Sequence, residues 1–290
     1  MRARSVRLIP QIIVVGLLVA YVALYLFFSS PFDEGSRGAD FSAYWEAANR
    51  LRLGQPLYPH LVDQQANDVY RYAAWFALAW LPFTALSRNV VEVAWIGLLM
   101  VASAYLLYVI LRERTLAAAC LAMLIGPWLI ENAWVGQVHT LLVAILTLTL
   151  DRRAGPLAVG IAASLKLSPL AFAGWYAFQR QWYRAALAVG VFLALAATSL
   201  LFDLSNYPTD ASEVSLASTS GVVWAMTTAV VVACALWISA ARPRYRLFAA
   251  GVVASVALPR IHHISSSFLL PALAHHGEPT PQKPSAKESE

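Results

Sequence analysis

The sequence predicts an all-α polytopic integral membrane protein. The expected architecture is a bundle of about eight to nine transmembrane or partly re-entrant helices, with a short amphipathic helix on the outer leaflet in the first extracytoplasmic loop. Three observations predict it. Of the 290 residues, 59% are hydrophobic and only 13% charged, against about 25% charged in a soluble domain, so most of the chain must face lipid or other apolar helices. Apolar runs recur from end to end, and the breaks between them ("RER", "DRR", "RQWYR", "RPRYR") are rich in arginine.

The first run, Leu8 to Phe28, is 21 residues without a charge, enough to cross a hydrocarbon core of about 30 Å. It follows Arg2, Arg4 and Arg7, exceeds the roughly 7–15 apolar residues of a signal peptide and is followed by no small-x-small cleavage site. It therefore reads as a retained anchor with a cytoplasmic N-terminus. The polar segment after it, residues 29–71, is the first outer loop and holds six of the sixteen acids, Asp33, Glu34, Asp40, Glu46, Asp63 and Asp68. Further apolar runs cover residues 72–87, 90–111, 115–130, 136–150, 155–178, 185–203, 220–240 and 246–271. Several fall short of the roughly 20 residues a straight span needs. Strict alternation also puts Arg112 and Arg114 outside, whereas their charge argues inside, so one early short run is expected to be re-entrant or interfacial. Residues 1–274 form a single membrane domain on this reading, and 275–290, "HHGEPTPQKPSAKESE", a disordered polar tail.

The net charge of +5 does not indicate nucleic acid, because the arginines are scattered between spans and report topology. Cys120 and Cys234 lie far apart in apolar runs and read as buried small hydrophobes rather than a disulfide or metal pair.

Four groups of residues are candidates for chemistry. Asp40 precedes "FSAYWEAANRLRLG", a short helix closed by Gly54. Phe41, Tyr44, Trp45, Ala48 and Leu51 share one face and Glu46, Asn49 and Arg50 another. That suits a helix lying flat on the outer leaflet and holding Asp40 at bilayer-surface depth. On spacing alone Asp40 reads first as the helix N-cap, ionised and with its pKa lowered by the helix dipole. In "ENAWVGQVHTLL", the polar side chains Glu131, Asn132, Gln137 and His139 suit a sugar or phosphate, or an ordinary turn at Gly136. Lys166, inside "GIAASLKLSPLAF", stands where a charge costs about 2.5–3.5 kcal/mol on insertion scales. Pro169 breaks the helix just beyond it, so two half-helices meeting near Lys166 are expected to bring it to a polar cavity. Arg260, His262 and His263 in "ALPRIHHISSSFLLPAL" offer a phosphate fork and a proton shuttle.

No Walker loop, GxGxxG, HExxH, CxxC or GxSxG occurs, which argues against nucleotide-driven pumps and zinc or serine hydrolases. The stretches "DFSAYWEAANRLRLGQPLY", "GQVHTLLVAILTLTL", "GIAASLKLSPLAF" and "LPRIHHISSSFLLPAL" together resemble the family-87 glycosyltransferases of the GT-C fold. These include polyprenyl-phosphate-mannose-dependent α-mannosyltransferases of actinobacterial envelopes. The resemblance runs from residue 8 to about residue 273. It implies a catalytic base at Asp40, the Gly-Gln pair at Gly136 and Gln137, the membrane lysine at Lys166, and the late basic segment at Arg260 with His262 and His263. Two departures stand out: His139 occupies the place of the usual Asn after the Gln, and family members tend to be longer, so this chain is expected to be shortened at its C-terminus.

The resemblance thus implies an inverting transferase that moves a sugar, mannose first, from a polyprenyl-phosphate donor to a glycolipid or polysaccharide acceptor. The active site would face outside on the cytoplasmic (plasma) membrane. Lys166, Arg260, His262 and His263 would hold the donor phosphate; Tyr44, Gln137, His139, Glu131 and Asn132 would bind sugar or acceptor. No cofactor is implied and no metal is indicated. Two alternatives stay open: a transferase of the same fold using arabinofuranose or another pentose, and a non-catalytic protein that binds or transports lipid-linked sugars. The oligomeric state is not fixed by the sequence.

Overall fold

Regular structure in this chain is decided by where apolar residues run unbroken and where proline, glycine or charge interrupts them. The structure, a computed structural model, describes residues 36–59, 69–113, 115–208, 221–256 and 267–274, together with Gly16 and Ala20. The predicted anchor Leu8 to Phe28 (those two residues apart), the phosphate candidates Arg260, His262 and His263, and the tail lie outside the described residues. Among the described residues every regular element is helical. In chain order these are α1 (Ala39–Arg52), α2 (Ala74–Trp80, continued by a 3₁₀ turn Leu81–Ala85), α3 (Arg88–Leu111), α4 (Leu116–Trp134), α5 (His139–Thr149), α6 (Gly155–Leu165), α7 (Ala171–Phe178), α8 (Trp182–Ala197, continued by Thr198–Leu201), α9 (Gly221–Ala241), α10 (Arg246–Val256) and α11 (Leu270–Ala274).

Among the described residues four segments are long and apolar enough to cross a membrane: α3, α4, α8 with its 3₁₀ extension, and α9. By contrast α5 and α6, eleven residues each, and α7, eight residues, reach only about 16 Å and 12 Å at 1.5 Å per residue. The break between α6 and α7 has a direct cause. Continuing the helix would drive the Pro169 ring into the carbonyl of Leu165, and α6 ends at Leu165 with Lys166 extended (φ −140°, ψ 115°). The two halves do not continue in line. Tyr176 at the end of α7 donates to the carbonyl of Leu150 at 2.6 Å, and Arg184 at the start of α8 donates to the same oxygen at 2.9 Å. Leu150 adjoins the start of α6, so α6 and α7 form a hairpin with Lys166 at its tip. α8 then runs back toward the tip end, packed so closely on α6 that a Cβ at Gly160 would lie 2.6 Å from Val191 Cβ.

The first of the early short apolar runs is α2. The residue before it in contact with α1 is Tyr72, whose hydroxyl pairs with that of Tyr44 at 3.2 Å. The 3₁₀ turn after it returns to α1, where Arg52 donates to the carbonyl of Thr84 at 3.4 Å. Next along the chain, Arg88 donates to Ser42 Oγ at 2.7 Å and pairs with Glu46 at 3.3 Å. Both ends of α2 therefore lie beside α1, and with its 3₁₀ turn it is shorter than the segments long enough to cross a membrane.

Two expectations change. The apolar face of α1 is not spread on a lipid surface: Phe41, Ala43, Tyr44, Ala47 and Ala48 are buried against the protein. Phe41 and Tyr44 meet Trp80 and Phe76 of α2 with ring centroids 5.5 and 5.0 Å apart, and Trp80 meets Trp95 of α3 at 5.0 Å. Such edge-on pairs contribute about 0.5–1.5 kcal/mol each beyond area burial, which binds α1 to the bundle. Cys234 is exposed rather than buried, and Cys120 half-buried. Cys234 sits on α9, most of whose surface is uncovered, because a lipid-facing helix needs no protein partner to satisfy an apolar side chain.

Candidate active site

The start of α1 is fastened to the turn between α4 and α5. Backbone N–H groups in a first helical turn lack partners within the helix. Here Gly38 donates to the carbonyl of Trp134 at 3.0 Å and Asp40 to that of Val135 at 2.9 Å. Gly136 in the same turn has φ +82°, and a Cβ there would fall 2.8 Å from Phe41 Cβ. Its carbonyl accepts from Trp95 Nε1 at 2.7 Å. Gly136→Ala is therefore expected to cost about 1–2 kcal/mol for the left-handed backbone alone, and more for the contact with Phe41; a lower midpoint in a thermal melt of the purified protein would register it.

Asp40 is not the N-cap. That place belongs to Gly38, in the left-handed region at φ 61°, and no side chain caps the helix. The Asp40 carboxylate instead accepts a hydrogen bond from the side chain of Gln137. Gln137 in turn accepts from Lys166 Nζ through Oε1, at 3.5 Å. One amide orientation serves both neighbours, with the NH₂ toward the carboxylate and the oxygen toward the ammonium. Thus three elements far apart in sequence, the α1 start, the α4–α5 turn and the α6–α7 tip, meet at Asp40, Gln137 and Lys166. All three side chains are half-buried, which leaves a face for a ligand.

Burial pushes the Asp40 carboxyl up from its ordinary value, and Lys166, Gln137 and Arg71 hold it down in part. The net direction is upward, opposite to that expected of a cap. A carboxylate so placed is a stronger base than a free one, while the flanking positive charge keeps its ionised form accessible.

Arg71 is the residue that sequence reasoning passed over. It stands in an irregular strap whose backbone groups are taken by hydroxyls. Tyr207 donates to the carbonyl of Arg71 (2.9 Å), Tyr58 to that of Tyr72 (2.9 Å) and Tyr70 to that of Ala73 (2.7 Å). Ser199 and Thr198 accept from the N–H groups of Ala74 and Trp75, both at 3.1 Å. Buried backbone polar groups require such partners, and here they fix an otherwise unsupported stretch beside Asp40. The available signal was the alternation of tyrosines around one arginine in "VYRYAAW".

The other candidates are placed differently. Tyr44 is fully buried; its hydroxyl accepts from the N–H of Val138 at 3.3 Å and pairs with Tyr72. His139 is buried with Nε2 2.8 Å from Ser267 Oγ and its ring edge-on to Phe268. Asn132 is buried and donates to the carbonyl of Trp128 one turn back at 2.9 Å. Glu131 is half-buried, and its enclosed Oε2 has no hydrogen-bond partner among the described residues. Among the described residues no group of three or more His, Cys, Asp or Glu side chains is arranged to hold a metal ion.

Comparison with known proteins bears on the same residues. Residues 70–211, which include Arg71, Gln137 and Lys166, match the pattern of Glycosyltransferase family 87. A curated relative is the polyprenol-phosphate-mannose-dependent alpha-(1-2)-phosphatidylinositol pentamannoside mannosyltransferase of Mycolicibacterium smegmatis, 27% identical over 217 residues, which cover 69% of this chain and 50% of the relative. The chain thus spans about half the length of the curated relative it matches. No solved structure matches it. The matched segment contains Gln137 and Lys166, and Asp40 comes to them from the α1 start preceding it.

Proposed function

We propose that this protein is an inverting glycosyltransferase that moves mannose from a polyprenyl-phosphate donor to a glycolipid or polysaccharide acceptor on the extracytoplasmic side of the plasma membrane. The observation that supports it most is the meeting of a base, an amide and a cation at Asp40, Gln137 and Lys166. The family match and the donor named for the relative point to the same chemistry.

Asp40 takes the proton of the acceptor hydroxyl as its oxygen forms a bond to the anomeric carbon. The bond from that carbon to the phosphate oxygen breaks, and the electron pair leaves with the polyprenyl phosphate. One displacement inverts the anomeric centre. The donor phosphate carries one negative charge as a diester and a second as the departing monoester, so a cation beside it stabilises the transition state more than the ground state. Lys166 has that role, with Arg260, His262 and His263 as further phosphate ligands. Gln137 orients both charged groups, and Tyr44, His139, Glu131 and Asn132 shape the sugar and acceptor side. No nucleotide and no resident metal enters the reaction as written. Arg112, Arg152, Arg153, Arg180 and Arg184 stand at helix ends and in the turns that follow them, and an inside position for them under the positive-inside rule supports an outside position for Asp40.

The test uses membranes or purified protein with labelled polyprenyl-phosphate-mannose. Mannose should pass to lipid or polysaccharide acceptors. Equal labelling from GDP-mannose with no lipid intermediate would refute the donor assignment, and preference for polyprenyl-phosphate-arabinofuranose would refute the sugar.

A further inference from the structure

A groove runs along α7 where it packs against α9 and α10. Ala171, Gly174, Trp175 and Phe178 form its floor, one helical face at spacings of three and four. Ala235 of α9 and Val253 of α10 stand on its sides, and it encloses about 160 Å³. Its residues are apolar along the length, and its polar members are engaged at the end away from Lys166, where Arg246 Nε donates to the carbonyl of Ser239 at 2.8 Å. We propose that this groove holds the first isoprene units of the donor's polyprenyl tail, with the attached phosphate at the tip beside Lys166. The proposal rests on the donor class assigned above and goes beyond it by giving the tail a place.

Continuity supports it. Along the chain only Leu167 and the 3₁₀ turn Ser168–Leu170 separate Lys166 from Ala171, so the cation stands about one turn before the first residue of the groove. An amphiphile with an anionic head and a long apolar tail matches that order. The side chains that bound the channel are small where space is needed: a Cβ built at Gly174 meets nothing within 4 Å. Access supports it as well. Most of the surface of α9 is uncovered, so the channel lies against lipid and a tail can enter sideways from the bilayer. α7 is eight residues long, about 12 Å, so the groove takes only the proximal part of a long tail. Moving that part from lipid to groove gains little from hydrophobicity, since both are apolar. The gain is in orientation, which fixes where the phosphate stands.

Two experiments on the full chain in nanodiscs test this. A polyprenyl phosphate bearing a diazirine on its first isoprene unit is irradiated with the protein, and labelled peptides are mapped. Labelling within 171–178 and 249–253, competed by unlabelled polyprenyl phosphate but not by phosphatidylglycerol, is expected. Labelling elsewhere, or equal competition by phosphatidylglycerol, means that the groove holds an ordinary acyl chain and overturns the proposal. Because this readout needs no transfer, it separates failure of the groove from failure of the transferase reading. In the second experiment Gly174→Trp and Gly174→Leu fill the channel. The ratio of kcat/KM for a long-chain donor over mannosyl methyl phosphate, which has no tail, should fall about tenfold or more with Gly174→Trp, which fills the open groove, and less with Gly174→Leu. An unchanged ratio in both variants would sink the assignment.

Discussion

Asp40→Asn is expected to reduce mannosyl transfer by about 10²- to 10⁴-fold, the usual contribution of a positioned general base. The substitution keeps the shape of the side chain and an oxygen for Gln137, so α1 should stay docked through its backbone bonds from Gly38 and Asp40. Asp40→Glu should retain part of the activity, because its carboxylate is displaced by one methylene from the Gln137 amide. The pH profile gives a second reading. Burial raises the Asp40 carboxyl above its ordinary value; the base works only when ionised, so activity is lost as pH falls through that raised pKa. The acid limb should therefore lie above the ordinary carboxylate range in wild type and vanish from the residual activity of Asp40→Asn. Gln137→Leu removes a group that holds the pKa down, so its limb should move to higher pH. Wild-type activity in Asp40→Asn would remove Asp40 from the reaction.

The elements that composition controls were legible in advance. A run of apolar residues long enough to span predicts itself, and α3, α8 and α9 follow from that alone, whereas α4 runs on past the apolar run 115–130, through Glu131 to Trp134. The break at Lys166 was legible because Pro169 acts locally on Leu165. The folding back of α7 was not, since it depends on Tyr176 and Arg184 reaching Leu150 across 26 and 34 residues. Spacing alone makes Asp40 a cap for a similar reason. Asp is a common capping residue, but Gly38 at φ 61° takes the cap position and leaves Asp40 as the second residue inside the helix. Its partner is set by the distant turn at Gly136. Arg71 and the tyrosines Tyr58, Tyr70, Tyr72 and Tyr207 escaped periodicity altogether, because an irregular strap held by hydroxyl groups has no repeat to detect.

Lys166→Met is expected to lower the maximal rate by about 10²- to 10³-fold, the cost of removing one preorganised electrostatic partner of a developing charge. Met preserves much of the length and apolar stem, so the α6–α7 tip should keep its packing. Two effects then combine. The loss of positive charge raises the Asp40 pKa further, moving the acid limb to higher pH, and the departing phosphate loses its stabilising cation, lowering the plateau above the limb. The comparison with Gln137→Leu separates them. Both variants should shift the limb in the same direction, because Lys166 and Gln137 each hold the carboxyl down. Only Lys166→Met should depress the plateau by two orders of magnitude, since only Lys166 brings a full charge to the leaving group. A plateau in Lys166→Met equal to that of Gln137→Leu would reduce Lys166 to a neighbour that tunes Asp40, and the donor phosphate would then have to find its cation elsewhere, with Arg71 the described arginine that acts on Asp40.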